Sequence, residues 1–177
     1  MTLVHTARDR QFRPWKNGGG QTAEILAFPE GAGFDDFQWR LSTAIVASDG
    51  PFSSFPGIDR VLTVVEGDPM VMTVDGVDIR LQADSAPFAF AGEAQTGARL
   101  EAGSLLDFNV MVRRPARAEV IRGPLDPEAA HEGPRFALLL EDGAGFERLD
   151  LIDLGQADAE LRARLSGLLA VEARIHP

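Results

Sequence analysis

The chain of 177 residues contains no cysteine. Disulfides and thiolate metal sites are therefore excluded. Histidine is scarce: His5, His131 and His176 are scattered and form no H-x-H or H-x-x-x-H pair, so no metal site is expected. No Asp/Glu cluster has the spacing of a calcium loop. No apolar run approaches the ~20 residues of a membrane span. The start, "MTLVHTARDR", lacks an apolar stretch followed by a small-residue cleavage site. A cytoplasmic protein with no membrane partner is the expectation. Basic residues are outnumbered, 17 against 27 acidic, for a net charge of −10. A nucleic-acid partner is not expected, because such proteins use Lys and Arg to displace counterions from phosphates. There is no G-x-S-x-G elbow, no internal repeat and no low-complexity tract.

What is present reads mostly as β-structure. In "FQWRLSTAIVA" (37–47), Phe37, Trp39, Leu41, Thr43 and Ile45 share one face, while Gln38, Arg40, Ser42, Ala44 and Val46 share the other. "RVLTVVEG" (60–67) is β-branched. In "MVMTVDGVDIRLQ" (70–82), Asp75-Gly76 suits a two-residue hairpin turn. "PFAFAG" (87–92) reads as a short strand. In "LLDFNVMVRRPA" (105–116), Asp107, Asn109, Met111 and Arg113 share a face, and Pro115 ends the strand. Residues 123–134, with three prolines and two glycines, read as a linker. "RFALLLEDG" and "FERLDLIDLG" read as further strands. A helix is predicted over 158–175, with Leu161, Leu165, Leu168 and Leu169 on one face. Short strands, frequent Gly/Pro turns and little helix predict an antiparallel sandwich or barrel. The expected organisation is one compact unit, with a main β portion over 1–122 and a smaller β-plus-helix portion over 123–177.

"FRPWKNGGGQTAEI" (12–25) places three glycines between Trp15-Lys16-Asn17 and an alternating run. A phosphate loop would need a following helix and a lysine after the glycines, and neither is found. A tight or flexible connection is the plain alternative. On the strands, the faces carrying Arg40 with Ser42, and Asp107 with Asn109 and Arg113, mix charge, amide, hydroxyl and thioether. That mixture resembles a pocket lining. A solvated outer face is the alternative. Arg40 and Arg60 are each suited to fork onto a carboxylate. An internal partner, Glu24 or Asp107, competes for either arginine. In "GPFSSFPGIDR" (50–60), Phe52 and Phe55 are placed to plug a barrel end, and Asp59-Arg60 reads equally as a structural salt bridge or a ligand contact.

"PWKNGGGQTAEI", "WRLSTA", "GPFSSFPGIDR", "FAFAGE" and "DFNVMVRR" occur in the order seen in the HutD/Ves family of bacterial cupin-like proteins, and on these motifs the chain resembles that family over about residues 12–114. The resemblance implies an all-β, cupin-type, bicupin-like fold and a link to histidine utilisation. It implies binding of a pathway intermediate such as N-formylglutamate in a regulatory role, with no cofactor. It carries over Trp15, Lys16, Asn17, Arg40, Ser42, Arg60 and Asn109 as ligand-binding positions. On that basis the glycines let Lys16 and Asn17 turn back over a barrel mouth, Arg60 anchors a carboxylate and Asn109 serves an amide or formyl group.

Three functional readings stay open at this stage. One is a non-catalytic binding protein for a small anionic metabolite. The second is a cofactor-free isomerase or lyase acting on a small carboxylic acid, with Glu24 or Asp107 as base. The third is a scaffold that forms a homodimer around a filled interior.

Overall fold

The structure is a computed structural model that describes residues 2–177. The chain divides into two compact units: Gln11–Pro115, and Ala116–Pro177 together with the N-terminal segment up to Arg10. The second division falls at Pro115/Ala116 rather than after residue 122. The Pro/Gly-rich stretch that reads as a linker follows a complete strand of the second unit.

In chain order the strands are β1 (Val4–His5), β2 (Arg13–Pro14), β3 (Gly20–Phe28), β4 (Trp39–Val46), β5 (Gly50–Pro51), β6 (Ile58–Gly67), β7 (Met70–Val74), β8 (Val77–Leu81), β9 (Phe88–Ala91), β10 (Thr96–Leu100), β11 (Leu105–Arg113), β12 (Arg117–Pro124), β13 (Arg135–Leu139) and β14 (Leu151–Asp153). The helix α1 (Ala159–Leu165) precedes β15 (Leu169–His176). Every strand pairing among the described residues is antiparallel.

The Gln11–Pro115 unit is a sandwich of a six-stranded sheet, ordered β2-β3-β4-β11-β6-β9, and a four-stranded sheet, β5-β10-β7-β8. Between them lies an apolar cluster with Val46, Leu62, Val64, Phe90 and Leu105 from the larger sheet and Met70, Met72, Leu81 and Ala98 from the smaller. The sheets are open, so the barrel expected from sequence is not closed. Edge strands β2 and β5 have two residues each, too few to extend the ladders further. The predicted hairpin turn is present: Asp75 and Gly76 take φ of 48° and 83° between β7 and β8.

The other unit carries one five-stranded sheet, β1-β14-β13-β15-β12. Helix α1 lays Leu161 and Leu165 on a cluster that includes Ala137, Leu139, Ile152 and Ala170. Asp158 caps it, its carboxylate accepting from the Leu161 amide at 2.8 Å. The predicted helix over 158–175 is therefore wrong in extent. Gly167, at φ 82°, ends it in the left-handed conformation that glycine adopts without penalty. The residues beyond form a strand that pairs with both β12 and β13, and Leu169, expected on the helix face, is exposed. "LAVEARIH" is buried on both faces of a central strand, so it lacks the polar alternation that marks a half-exposed one.

This unit also buries a guanidinium. Arg135 donates from Nε to Glu172 Oε1, from Nη1 to the Pro127 and Ala129 carbonyls at 2.9 Å each, and from Nη2 to the Asp126 carbonyl. Arg174 donates to the same Glu172 carboxylate at 2.7 Å. All three nitrogens of Arg135 are satisfied, and its side chain pins residues 126–129 against the sheet.

Candidate functional site

Strand β11 is central, paired with β4 on one side and β6 on the other. Residues directly opposite in a ladder share a face. Met111 is opposite both Arg40 and Arg60, and Asn109 is opposite both Ser42 and Leu62. Asp107 is opposite Ala44 and Val64, and Glu24 of β3 is opposite Ser42. The register thus gathers Glu24, Arg40, Ser42, Arg60, Asp107 and Asn109 on the face of the large sheet that carries Leu62 and Val64 of the apolar cluster. Two register shifts flank the site, between Glu24 and Leu26 and between Leu106 and Asp107. Bulges of this kind re-aim side chains next to functional sites.

These groups are inside the protein. Arg40, Ser42, Arg60, Asp107 and Asn109 are all buried. The solvated-face alternative is thereby removed for them. Arg40 donates from Nε to Glu24 Oε2 at 2.8 Å and from Nη1 to Ser42 Oγ at 3.3 Å. The internal-partner alternative therefore holds for Arg40. Arg60 differs. Its Nε and Nη2 both reach Asn109 Oδ1, at 3.4 and 3.3 Å, and its Nη1 reaches the Ser53 carbonyl at 3.5 Å. Those distances lie well beyond the usual ~2.9 Å for N–H···O, and neither acceptor is charged. Three rings surround the Arg60 guanidinium, Phe90 at 4.9 Å, Phe55 at 5.4 Å and Phe52 at 5.7 Å, within cation–π range. Phe34, largely exposed, lies over Arg40 at 4.7 Å.

Asn109 links the two charges at the centre of the site. Its Nδ2 donates to Asp107 Oδ1 at 3.3 Å while its Oδ1 faces Arg60. Burial pushes the Asp107 carboxyl up to about 7, against the hydrogen bond from Asn109 and the charge of Arg60. Burial likewise pulls the Arg60 guanidinium down to about 10. The Asp107 charge opposes that fall and the Arg40 charge reinforces it. Arg60 is still a cation at neutral pH.

The glycine run has a local explanation. Gly18, at φ 72°, closes a turn in which its amide donates to the Trp15 carbonyl at 3.0 Å. The amide of Gly19 donates to Asn17 Oδ1 at 2.9 Å. A Cβ on Gly20 would stand 2.3 Å from the Ile45 carbonyl and 3.0 Å from the Trp15 ring. Gly20 therefore leaves room for the Trp15 ring, and Trp15 Nε1 donates to Thr22 Oγ1 at 2.7 Å. Trp15 meets Phe52 edge-on at 6.2 Å and joins the site through that ring. Lys16 and Asn17 are exposed, and among the described residues no hydrogen bond or ion pair joins them to Arg40, Arg60 or Asn109. The Asp59–Arg60 salt bridge is not formed. Adjacent strand residues point to opposite faces, and Asp59 pairs with Arg114 at 2.7 Å. The covering rings Phe34 and Phe90 were missed by sequence reasoning. Phe90 stands opposite Arg60 in the ladder, a pairing that the period-two pattern of the sequence does not show.

Among the described residues no group of three or more His, Asp or Glu side chains is placed to hold a metal ion. Among the described residues no helix is long and apolar enough to cross a membrane.

The HutD family model matches residues 7–162. The chain belongs to the HutD family. An uncharacterised 21.2 kDa protein from the hutC 3' region of Pseudomonas putida is 45% identical over 105 residues, which is 59% of this chain and 55% of that protein. Protein Ves of Citrobacter koseri is 40% identical over 101 residues, 56% of this chain and 52% of that protein. The matched region thus spans about half the length of these curated relatives. The solved structure of HutD from Pseudomonas fluorescens SBW25 superposes with a TM-score of 0.73 at 32% identity, covering 98% of this chain and 96% of that one. KdgF from Halomonas sp. superposes with a TM-score of 0.51 at 14% identity over 64% of this chain and 96% of that one, a likeness of fold alone. The fold is mostly β, with one short α-helix near the C-terminal end among the described residues.

Proposed function

We propose that this HutD-family chain is a non-catalytic binding protein whose Gln11–Pro115 unit holds a small organic anion. Arg60 is the anchor. The observation that carries this reading is the state of that guanidinium: buried, charged, ringed by phenyl groups and, among the described residues, hydrogen-bonded only to distant neutral acceptors, with the Asp107 carboxyl acting on it without a hydrogen bond. A buried cation left in that condition costs several kcal/mol unless an anion completes its shell. A carboxylate supplies two parallel acceptors that match the guanidinium fork. Asn109 provides donor and acceptor for a neighbouring amide or formyl group, and Arg40 lies across β11 for a second acidic group. The candidate ligands are intermediates of histidine degradation, N-formylglutamate first, in a regulatory role and without a metal or cofactor. In the same reading the two units are the halves of a bicupin-like protein.

The test is a thermal melt against urocanate, formiminoglutamate, N-formylglutamate and glutamate. A ligand at 100 times its dissociation constant adds about 2.7 kcal/mol of stability. At least one of the four is expected to raise the melt, and failure of all four removes the pathway assignment. A second reading, a cofactor-free isomerase or lyase, draws on Asp107, a buried carboxyl poised at about 7 near a guanidinium. Following the bound acid by NMR separates the two: an unchanged spectrum over hours supports binding alone, and consumption supports the enzyme.

A further inference from the structure

We propose that a carboxylate binding at Arg60 brings one proton with it, taken up by Asp107. This inference rests on the binding site proposed above and adds its regulation by pH.

The geometry supplies the reason. Asp107 is 1% exposed, and among the described residues its one side-chain hydrogen-bond donor is Asn109 Nδ2, at 3.3 Å. An ionised carboxylate offers about four acceptor positions, so most of its capacity is unmet. The charged groups around it are few. Strand β6 contributes Arg60, the one charge acting directly on Asp107, and β4 contributes Arg40, which acts on Arg60 in turn. Strand β3 contributes Glu24, already tied to Arg40. The four-stranded sheet contributes Met70, Met72, Leu81 and Ala98 to the packing on this side, none of them titratable.

Charge balance follows from this arrangement. With all four groups ionised, Arg40 balances Glu24 and Arg60 balances Asp107. A ligand carboxylate on Arg60 takes up that positive charge and leaves Asp107 an uncompensated buried anion, which is strongly unfavourable. A solvent proton on Asp107 restores neutrality while the ligand stays a carboxylate. The position of Asp107, already about 7 in the free protein and held down in part by Arg60, makes the uptake accessible near neutral pH. Asn109 carries the coupling. In the free site Nδ2 donates to Asp107 and Oδ1 accepts from Arg60. Once Asp107 carries O–H, the amide can turn over: Oδ1 accepts from Asp107, and Nδ2 is released to donate to the ligand. Affinity then falls as pH rises above about 7, by up to tenfold per pH unit.

The experiment is calorimetric titration of the full chain with N-formylglutamate in two carboxylate-free buffers of different ionisation enthalpy, at about pH 8.5 and about pH 5.5. The expected result is close to one proton taken up per ligand at the higher pH and close to none at the lower. In Asp107→Asn the uptake at the higher pH is expected to vanish. Zero uptake by the native chain at the higher pH overturns the proposal, as does undiminished uptake by Asp107→Asn. If that variant does not fold, the ¹³C-carboxyl resonance of Asp107 in the native chain at about pH 8.5 decides. A move to the protonated position on adding ligand supports the coupling, and an unmoved resonance overturns it. Absence of N-formylglutamate binding at either pH is a different failure: it removes that acid as the ligand of Arg60, and with it the coupling proposed for that acid.

Discussion

Arg60 and Arg135 are two buried arginines with the same exposure, 7% each, in two different units. Their surroundings are opposite. Arg135 gives every nitrogen a partner, one of them the Glu172 carboxylate, and ties down a loop. Arg60 meets one amide oxygen and one carbonyl at 3.3–3.5 Å, and otherwise phenyl rings. The carboxylates nearby divide in the same way. Burial pushes Glu172 up, but hydrogen bonds and charges from Arg135 and Arg174 outweigh it and hold the group below the ordinary value. Asp107 has one weak donor, and its burial is not outweighed. Burial of charge alone therefore does not mark a site. What marks it is a buried charge whose own protein has not completed its shell.

The comparison breaks or holds most clearly on two truncations. Arg135→Ala leaves three backbone carbonyls and part of Glu172 unmet, and should destabilise the chain by about 3 kcal/mol or more. Arg60→Ala removes only long contacts and should cost about 1 kcal/mol near pH 6, where Asp107 does not need its charge. Its effect should appear instead in anion affinity, as a loss of about a hundredfold or more. Urea denaturation of both variants measures the contrast. Equal destabilisation would make Arg60 a structural clamp like Arg135.

The two carboxylates predict opposite pH limbs. Asp107 has a raised folded-state value, about 7 against 3.8, so its contribution is present at low pH and lost as pH rises through that window. The loss amounts to about 4 kcal/mol at most. Glu172 has a lowered folded-state value, so its contribution is present above the ordinary carboxylate range and lost as pH falls through the folded value. Asp107→Asn should flatten the decline from about pH 4 to pH 7, and Glu172→Gln should flatten the acid limb. Stability curves of both variants against pH check this, and a neutral limb that persists in Asp107→Asn would assign it to another group.

The same contrast explains what could be read from the sequence. Arg40, Ser42, Asp107 and Asn109 sit at alternating positions of strands whose period-two pattern is plain, so their shared faces were legible. Their convergence was not, because it comes from β11 lying between β4 and β6. The Arg135–Glu172 pair was hidden, since Glu172 fell within a run that reads as helix and only the turn at Gly167 makes it strand. Lys16 and Asn17 were singled out for standing beside glycines whose need is local: Gly18 for its turn and Gly20 for the Trp15 ring. The choice between sandwich and barrel was not legible for a related reason, because strand patterns show which residues face inward and not how far the edge ladders run.

Arg40 stands between the two extremes and gives the smallest test. Its side chain is 8% exposed, but that of its partner Glu24 is 45% exposed, so the pair is half in water. Screening limits what such a pair adds to stability, and Glu24→Gln should change it by less than about 1 kcal/mol. The sharper readout is anion binding. Glu24 competes with a ligand for Arg40, so its neutralisation should raise affinity by about three- to tenfold at low salt, with the gain shrinking as salt screens the partly exposed charge. A fall in affinity would mean that Glu24 holds Arg40 in its binding orientation. An unchanged affinity would instead place Arg40, with Arg135, among the guanidinia whose shell the protein completes itself, leaving Arg60 as the open one.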